Sequence, residues 1–202
     1  MYAVWHGPEG MTRIAQRIHG YTRRLASAAT SAGHTVVHGN YFDTLRIRVG
    51  DKLHDILTAA EHKTINLRAF NATDLVIALD ERFGDEDLED LINVLDGDAS
   101  ATGAEGGGLP EAFARQTPFL THPTFHRFRS ETEMLRYLHS LESKDLSLTT
   151  AMIPLGSCTM KLNATTEMIP VTWRNFGGIH PFAPTSQAQG YQALFEDLEG
   201  WL

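Results

Sequence analysis

Between Met152 and Asn163 a short run brings together a turn glycine, two hydroxyls, the chain's only thiol and a lysine: Gly156, Ser157, Thr159, Cys158 and Lys161. A bend at Gly156 can aim backbone N–H groups and the hydroxyls of Ser157 and Thr159 at one anion, as a backbone nest does. Lys161 adds a point charge suited to a phosphate or a carboxylate. The same residues also suit a polar connector in which Met152, Ile153, Leu155 and Met160 pack while the hydroxyls bond to neighbouring backbone. Residue types leave both readings open. Cys158 is a nucleophile or redox switch where Lys161 or local N–H groups stabilise its thiolate, and otherwise an inert packed thiol. His180, on a loop with Gly177, Gly178 and Pro181, can touch substrate or cofactor, or simply pack. His122 and His126 stand four apart as metal ligands on a helix would, but Pro123 between them disfavours that helix, so no metal site is expected.

The elements that must position these residues follow from periodicity. Met11, Ile14, Ala15, Ile18, Tyr21, Leu25 and Ala28 recur at helical spacing from Pro8 to about Ala29, with Pro8 suited to the first turn and Gly33 to the exit. Arg13, Arg17, Arg23 and Arg24 fall mostly on other faces and read as solvated. Thr35–His38 and Thr44–Val49 read as strands. The second alternates, with Leu45, Ile47 and Val49 on a buried face and Arg46 and Arg48 on a wet one. Asp51 is expected to cap a helix carrying Leu53, Ile56, Leu57 and Ala60. Strand character returns over Thr64–Phe70 and Asp74–Leu79, with Asn71 near the turn. Asp85 is expected to cap a helix with Leu88, Leu91, Ile92 and Leu95 inward, and the acidic run Asp85, Glu86, Asp87, Glu89 and Asp90 complements that helix's dipole.

Helices interleaved with short alternating strands imply an α+β layer of helices on a small, partly antiparallel sheet. The glycine-rich run 97–108 lacks the Lys-Ser or Lys-Thr pair of a phosphate loop and reads as a linker, placing a boundary near residue 100. Beyond it, Ser130 and Glu133 have capping-box spacing ahead of Met134, Leu135, Leu138 and Leu141. A short helix over about Asn163–Ile169, ended by Pro170, precedes a loop from Asn175 to Pro184. Ala188, Tyr191, Leu194, Phe195, Leu198 and Trp201 then form a last helical stripe. That stripe is still running at Leu202 with no C-cap glycine, so a truncated polypeptide is expected.

A formal net charge of -8 disfavours nucleic acid and anionic membranes as partners. No run is long and apolar enough to span a bilayer, no signal-like segment opens the chain, and a single cysteine suits a reducing compartment.

The runs Phe128–Tyr137 and Leu155–Thr165, followed by Ile179-His180-Pro181-Phe182 and Gly190-Tyr191, resemble the glycine decarboxylases, the P-proteins of the glycine cleavage system. Met1–Pro8 and Ile14–His19 resemble the middle of the same proteins, so the resemblance covers essentially the whole chain. It implies an internal stretch of a two-halved, fold-type I pyridoxal-phosphate enzyme. Residues 1–98 would be the small α+β C-terminal domain of the first half and 99–129 a flexible linker and extended segment. Residues 130–202 would be a helical and irregular segment that begins the second half, truncated at its C-terminus.

The implied chemistry is pyridoxal-phosphate-dependent decarboxylation of glycine, with transfer of the aminomethyl group to the lipoyl arm of the H-protein. The family's Schiff-base lysine follows a histidine well downstream of the Gly-Ser-Cys-Thr-Met-Lys run. None of the four lysines here, Lys52, Lys63, Lys144 and Lys161, has that context. The expectation is therefore no catalytic residue in this chain, no covalently held cofactor, and an inactive isolated polypeptide. Ser157, Thr159, Lys161 and His180 become candidates for substrate or cofactor contact. Glycine, lipoylated H-protein and a homo-oligomer are the implied partners, and the cytoplasm, or the mitochondrial matrix for a eukaryotic source, the implied compartment. A non-catalytic α/β interaction module is the alternative.

Overall fold

The computed structural model describes residues 1–100, 110–144 and 164–202, and opens on a long helix, α1 (Tyr2–Ser31). Its axis breaks at Gly7, whose φ of 59° and ψ of -174° are not helical, and Pro8 restarts it where a missing N–H costs nothing. The strands β1 (Thr35–Val36) and β2 (Thr44–Arg48) follow, then α2 (Leu53–His62), β3 (Arg68–Ala69), β4 (Asp74–Ala78) and α3 (Asp85–Val94). All strand pairs are antiparallel, in the order β1-β2-β4-β3. Leu45 faces Ile77, and Ile47 faces Leu75, across the central pair. These four residues join Leu25, Ala28 and Ala29 of α1, Ile56 and Ala60 of α2, and Leu88, Leu91 and Ile92 of α3 in one core. Arg46 and Arg48 take the opposite face, as the alternation predicts.

The three long helices of this part end alike. Gly33, Thr64 and Asp96 each adopt positive φ, and the next residue's N–H reaches back five positions, from His34 to Ala29, Ile65 to Ala60 and Gly97 to Ile92. This explains two departures from the periodicity. The chain after α2 is spent on that exit, so the strand expected from Thr64 begins only at Arg68. It then turns on Asn71, whose side-chain oxygen accepts the N–H groups of Thr73 and Asp74.

Two expected caps are replaced. A 3-10 turn, Gly50–Lys52, leads into α2, and Asp51 sits inside it without capping by its side chain. Gly84 is the residue that precedes α3, and the Asp87 carboxylate accepts its N–H at 2.8 Å, so the acid one turn in takes the role expected of Asp85.

By internal contacts the chain divides into the units Met1–Tyr137 and Leu138–Leu202. In the first, a 3-10 turn spans Glu111–Phe113, and the short helix α4 (Thr124–Arg127) packs near α1. The helix α5 (Glu131–Glu142) starts on the expected capping residues: Ser130 Oγ accepts the Glu133 N–H at 3.3 Å and donates to its carboxylate at 3.1 Å.

In the second unit α6 (Thr165–Met168) continues directly into a 3-10 turn over Ile169–Thr172. The α-helix thus stops just ahead of Pro170, close to the expected end, and the chain tightens into the 3-10 turn there. The segment expected as loop from Asn175 is partly helical, in α7 (Arg174–Gly177), and α8 (Gln189–Trp201) carries the last apolar stripe. Most of the glycine-rich run 97–108, and the whole of Met152–Asn163, lie outside the described residues.

Candidate functional site

Ser157, Cys158, Thr159 and Lys161 lie outside the described residues, so His180 is the one expected contact residue with a described position. It follows α7, is exposed, and closes a local turn: its Nδ1 accepts the Phe182 N–H at 3.1 Å and its carbonyl accepts that of Ala183 at 2.9 Å. With Nδ1 accepting, the neutral ring carries its proton on Nε2. Around it the aromatic run Trp173, Phe176, Tyr191 and Phe195 links α7 to α8 at centroid spacings of 6.0 to 6.1 Å, with the Tyr191 hydroxyl donating to the Phe176 carbonyl. The loop that carries His180 is thus held by α8.

His122 and His126 are not arranged as metal ligands. His122 Nδ1 accepts the Thr124 N–H at 3.2 Å, and His126 Nε2 lies 2.9 Å from the Leu120 carbonyl. Among the described residues no group of three or more His, Cys, Asp or Glu could hold a metal ion.

Among the described residues Asp74, which starts β4, is an ionisable group with several partners and no exposed side-chain surface. Arg46 Nε donates to it at 2.7 Å, Arg48 Nε at 3.1 Å and Thr73 Oγ1 at 2.9 Å. Burial pushes its pKa up, but the hydrogen bonds from Arg46, Thr73 and Arg48, with the charge of Arg48, outweigh burial and hold the carboxyl at about 2. Arg46 also lies over the Phe70 ring, 4.1 Å from its centroid. A carboxylate so saturated is no proton acceptor at neutral pH, and its work is to fasten β2 to β4.

Arg13 and Arg17, which the periodicity assigned to a solvated face, are exposed and also line an open cavity of about 580 Å³ beside α1. His6, Arg13 and Arg17 come from α1, and Glu81 and Arg82 from the turn between β4 and α3. Tyr2 donates its hydroxyl to the Glu81 carboxylate, and that bond together with burial and the Glu81 charge raises the phenol's pKa. Arg17 Nη2 donates to the Glu81 carbonyl at 2.6 Å, tying the turn to the helix. The one sequence signal for this site was the shared face of Arg13 and Arg17, one turn apart, which alone does not separate a site from a wet surface.

A second cavity, also about 580 Å³, is apolar: Met11, Ala15, Phe42, Pro110, Ala114 and Phe119 are among its walls. His19 stands there with its ring stacked on Phe42 and Nδ1 2.9 Å from the Phe42 carbonyl.

Residues 1–95 match the family model described as "Glycine cleavage system P-protein". These residues belong to the P-protein family. The likeness continues through the rest of the chain. Over its full length it is 51% identical to glycine dehydrogenase (decarboxylating) of Nostoc sp., covering 22% of that protein. It is 51% identical to the protein of the same name from Rhodopseudomonas palustris, covering 21%. Against the mitochondrial glycine dehydrogenase (decarboxylating) of Mus musculus it is 46% identical over 98% of this chain and 20% of that protein. The chain spans about a fifth of the length of these P-protein relatives.

Lys63 is ion-paired with Asp90 at 2.5 Å, Lys52 lies 3.7 Å from Asp96, and Lys144 is exposed at the end of α5. None of the three lines a described cavity. No helix among the described residues is long and apolar enough to cross a membrane.

Proposed function

We propose that this chain is part of a pyridoxal-phosphate-dependent glycine decarboxylase that passes the aminomethyl group of glycine to a lipoylated H-protein. The observation that carries this reading is identity near one half along the entire chain to proteins named glycine dehydrogenase (decarboxylating). When bound, the cofactor supplies the electron sink for loss of the carboxyl group. In this reading residues 1–98 end the first half of the enzyme, 99–129 connect, and 130–202 begin the second half. The enzyme works as a homo-oligomer in the cytoplasm, or in the matrix of a mitochondrion.

Ser157 and Thr159 are assigned to hydrogen-bond a carboxylate or phosphate oxygen, Lys161 to add charge beside it, and His180 to contact substrate or cofactor. Cys158 is a packed or redox-sensitive thiol in the same run. None of these residues carries the cofactor covalently, and the isolated chain is inactive.

The test is to incubate the chain with pyridoxal phosphate and glycine, reduce with borohydride and map any modified lysine. Scattered, substoichiometric modification is expected. Stoichiometric modification at Lys161 alone would overturn the assignment. In parallel, a polypeptide of the relatives' full length containing this sequence should release CO2 from carboxyl-labelled glycine when lipoylated H-protein is present, and no release would remove the decarboxylase reading.

A second reading, a non-catalytic α/β interaction module, is favoured by the α8 stripe, whose Leu194, Phe195, Leu198 and Trp201 are all exposed.

A further inference from the structure

We propose that the cavity between α1 and the turn at Glu81-Arg82 is a binding site for a dianionic phosphate group. Its lining carries three guanidinium groups, Arg13, Arg17 and Arg82, against a single carboxylate, Glu81. That carboxylate is already engaged by the Tyr2 hydroxyl. The surplus is two positive charges on a chain whose formal net charge is -8, so the cations are concentrated here against the trend of the whole molecule.

Arg17 uses one N–H on the Glu81 carbonyl, which fixes its direction and leaves other donors of its planar fork unused. The side chains of Arg13 and Arg82 have no ion-pair partner among the described residues. Arg13 and Arg17 are spaced i, i+4 on one helix, an arrangement that like charges make unfavourable until an anion sits between them. Gly10, one turn before Arg13, also lines the cavity, and a Cβ there would stand 2.9 Å from that of His6. Guanidinium forks arriving from two elements match the several oxygens of a phosphate better than the two of a carboxylate. The proposal rests on the lining of this cavity and not on the decarboxylase reading.

Titration of the chain with inorganic phosphate at low ionic strength, followed by calorimetry and by the arginine side-chain N–H resonances, tests it. Saturable binding with one equivalent is expected, with the Arg13 and Arg82 resonances shifting. Arg13→Gln and Arg82→Gln should each weaken binding at least tenfold, while Arg68→Gln, on β3 and outside the cavity, should leave it unchanged. Acetate at equal concentration should compete weakly. The proposal is overturned if phosphate does not saturate, if acetate binds as well, or if Arg68→Gln weakens binding as much as the cavity variants. Because resonance shifts are read on the unaltered chain, a variant that fails to fold does not protect the proposal.

Discussion

Asp74 shows what one side chain can decide. It joins two arginines on the neighbouring strand and the Thr73 hydroxyl, and its carboxyl is lowered from 3.8 to about 2. Unfolded, it takes up a proton near the ordinary value; folded, it resists until the pH nears 2. Its stabilisation is therefore complete above about pH 3.8 and is lost as the pH falls from there toward 2. Asp74→Asn should melt at lower temperature than the parent near neutral pH, and the gap between the two melting curves should close as the pH falls through that window. A gap constant with pH would refute the linkage. Sequence alternation placed Arg46 and Arg48 on the wet face correctly. It could not show that an acid far along the chain sits across the strand pair from Arg48, because pairing between distant strands leaves no local trace. The same blindness hid the Arg13, Arg17 and Arg82 cavity, whose members lie on a helix and on a distant turn.

At the scale of elements the decisive feature is the break in α1. Gly7 takes positive φ, and the Arg129 guanidinium fills the space beside it. Arg129 donates to the Trp5 carbonyl at 2.9 Å and to that of Phe125, and lies 3.7 Å from the Glu9 carboxylate. The break therefore opens a slot in which one cation fastens the 110–130 segment to α1. A side chain at Gly7 would meet both a strained backbone and that guanidinium, its Cβ running into Arg129 Nη2. Gly7→Ala should cost about 1–3 kcal/mol, the usual range for a non-glycine residue held in a sparsely populated conformation. Urea denaturation followed by circular dichroism measures this, and an unchanged midpoint would show that α1 straightens without penalty. Pro8 announced the restart of α1 after its break and Gly33 its exit, but the helical turns from Tyr2 that precede the break were not foreseen. Helix extent, strand alternation and the inward faces were legible because each repeats within a few residues. The short strand β3 and the Gly84–Asp87 cap were not, because each depends on how the preceding element ends or on which acid reaches one particular N–H.

For the whole molecule, apolar surface concentrates on the later helices. On α8, Phe195 is 55% exposed, Leu198 50% and Trp201 80%, and on α5 Leu135 is 60% exposed. Residues spaced three and four apart on α8 form one continuous stripe, and each side chain moved from water into a contact contributes about 25 cal/mol per Å² of apolar area. A second copy of the chain can supply that contact, and the net charge of -8 is the main force opposing it. Association should therefore strengthen with added salt, which screens the repulsion while leaving the apolar term intact. Size-exclusion chromatography with light scattering should find masses above the monomer at tens of micromolar protein, with the larger species growing as salt is raised. The double variant Phe195→Asp, Leu198→Asp should return the chain to a monomer without lowering the melting temperature of the core in residues 25–95, since neither side chain belongs to that core. A parent chain that stays monomeric at high concentration and high salt would mean that the α8 stripe is too small to hold a partner.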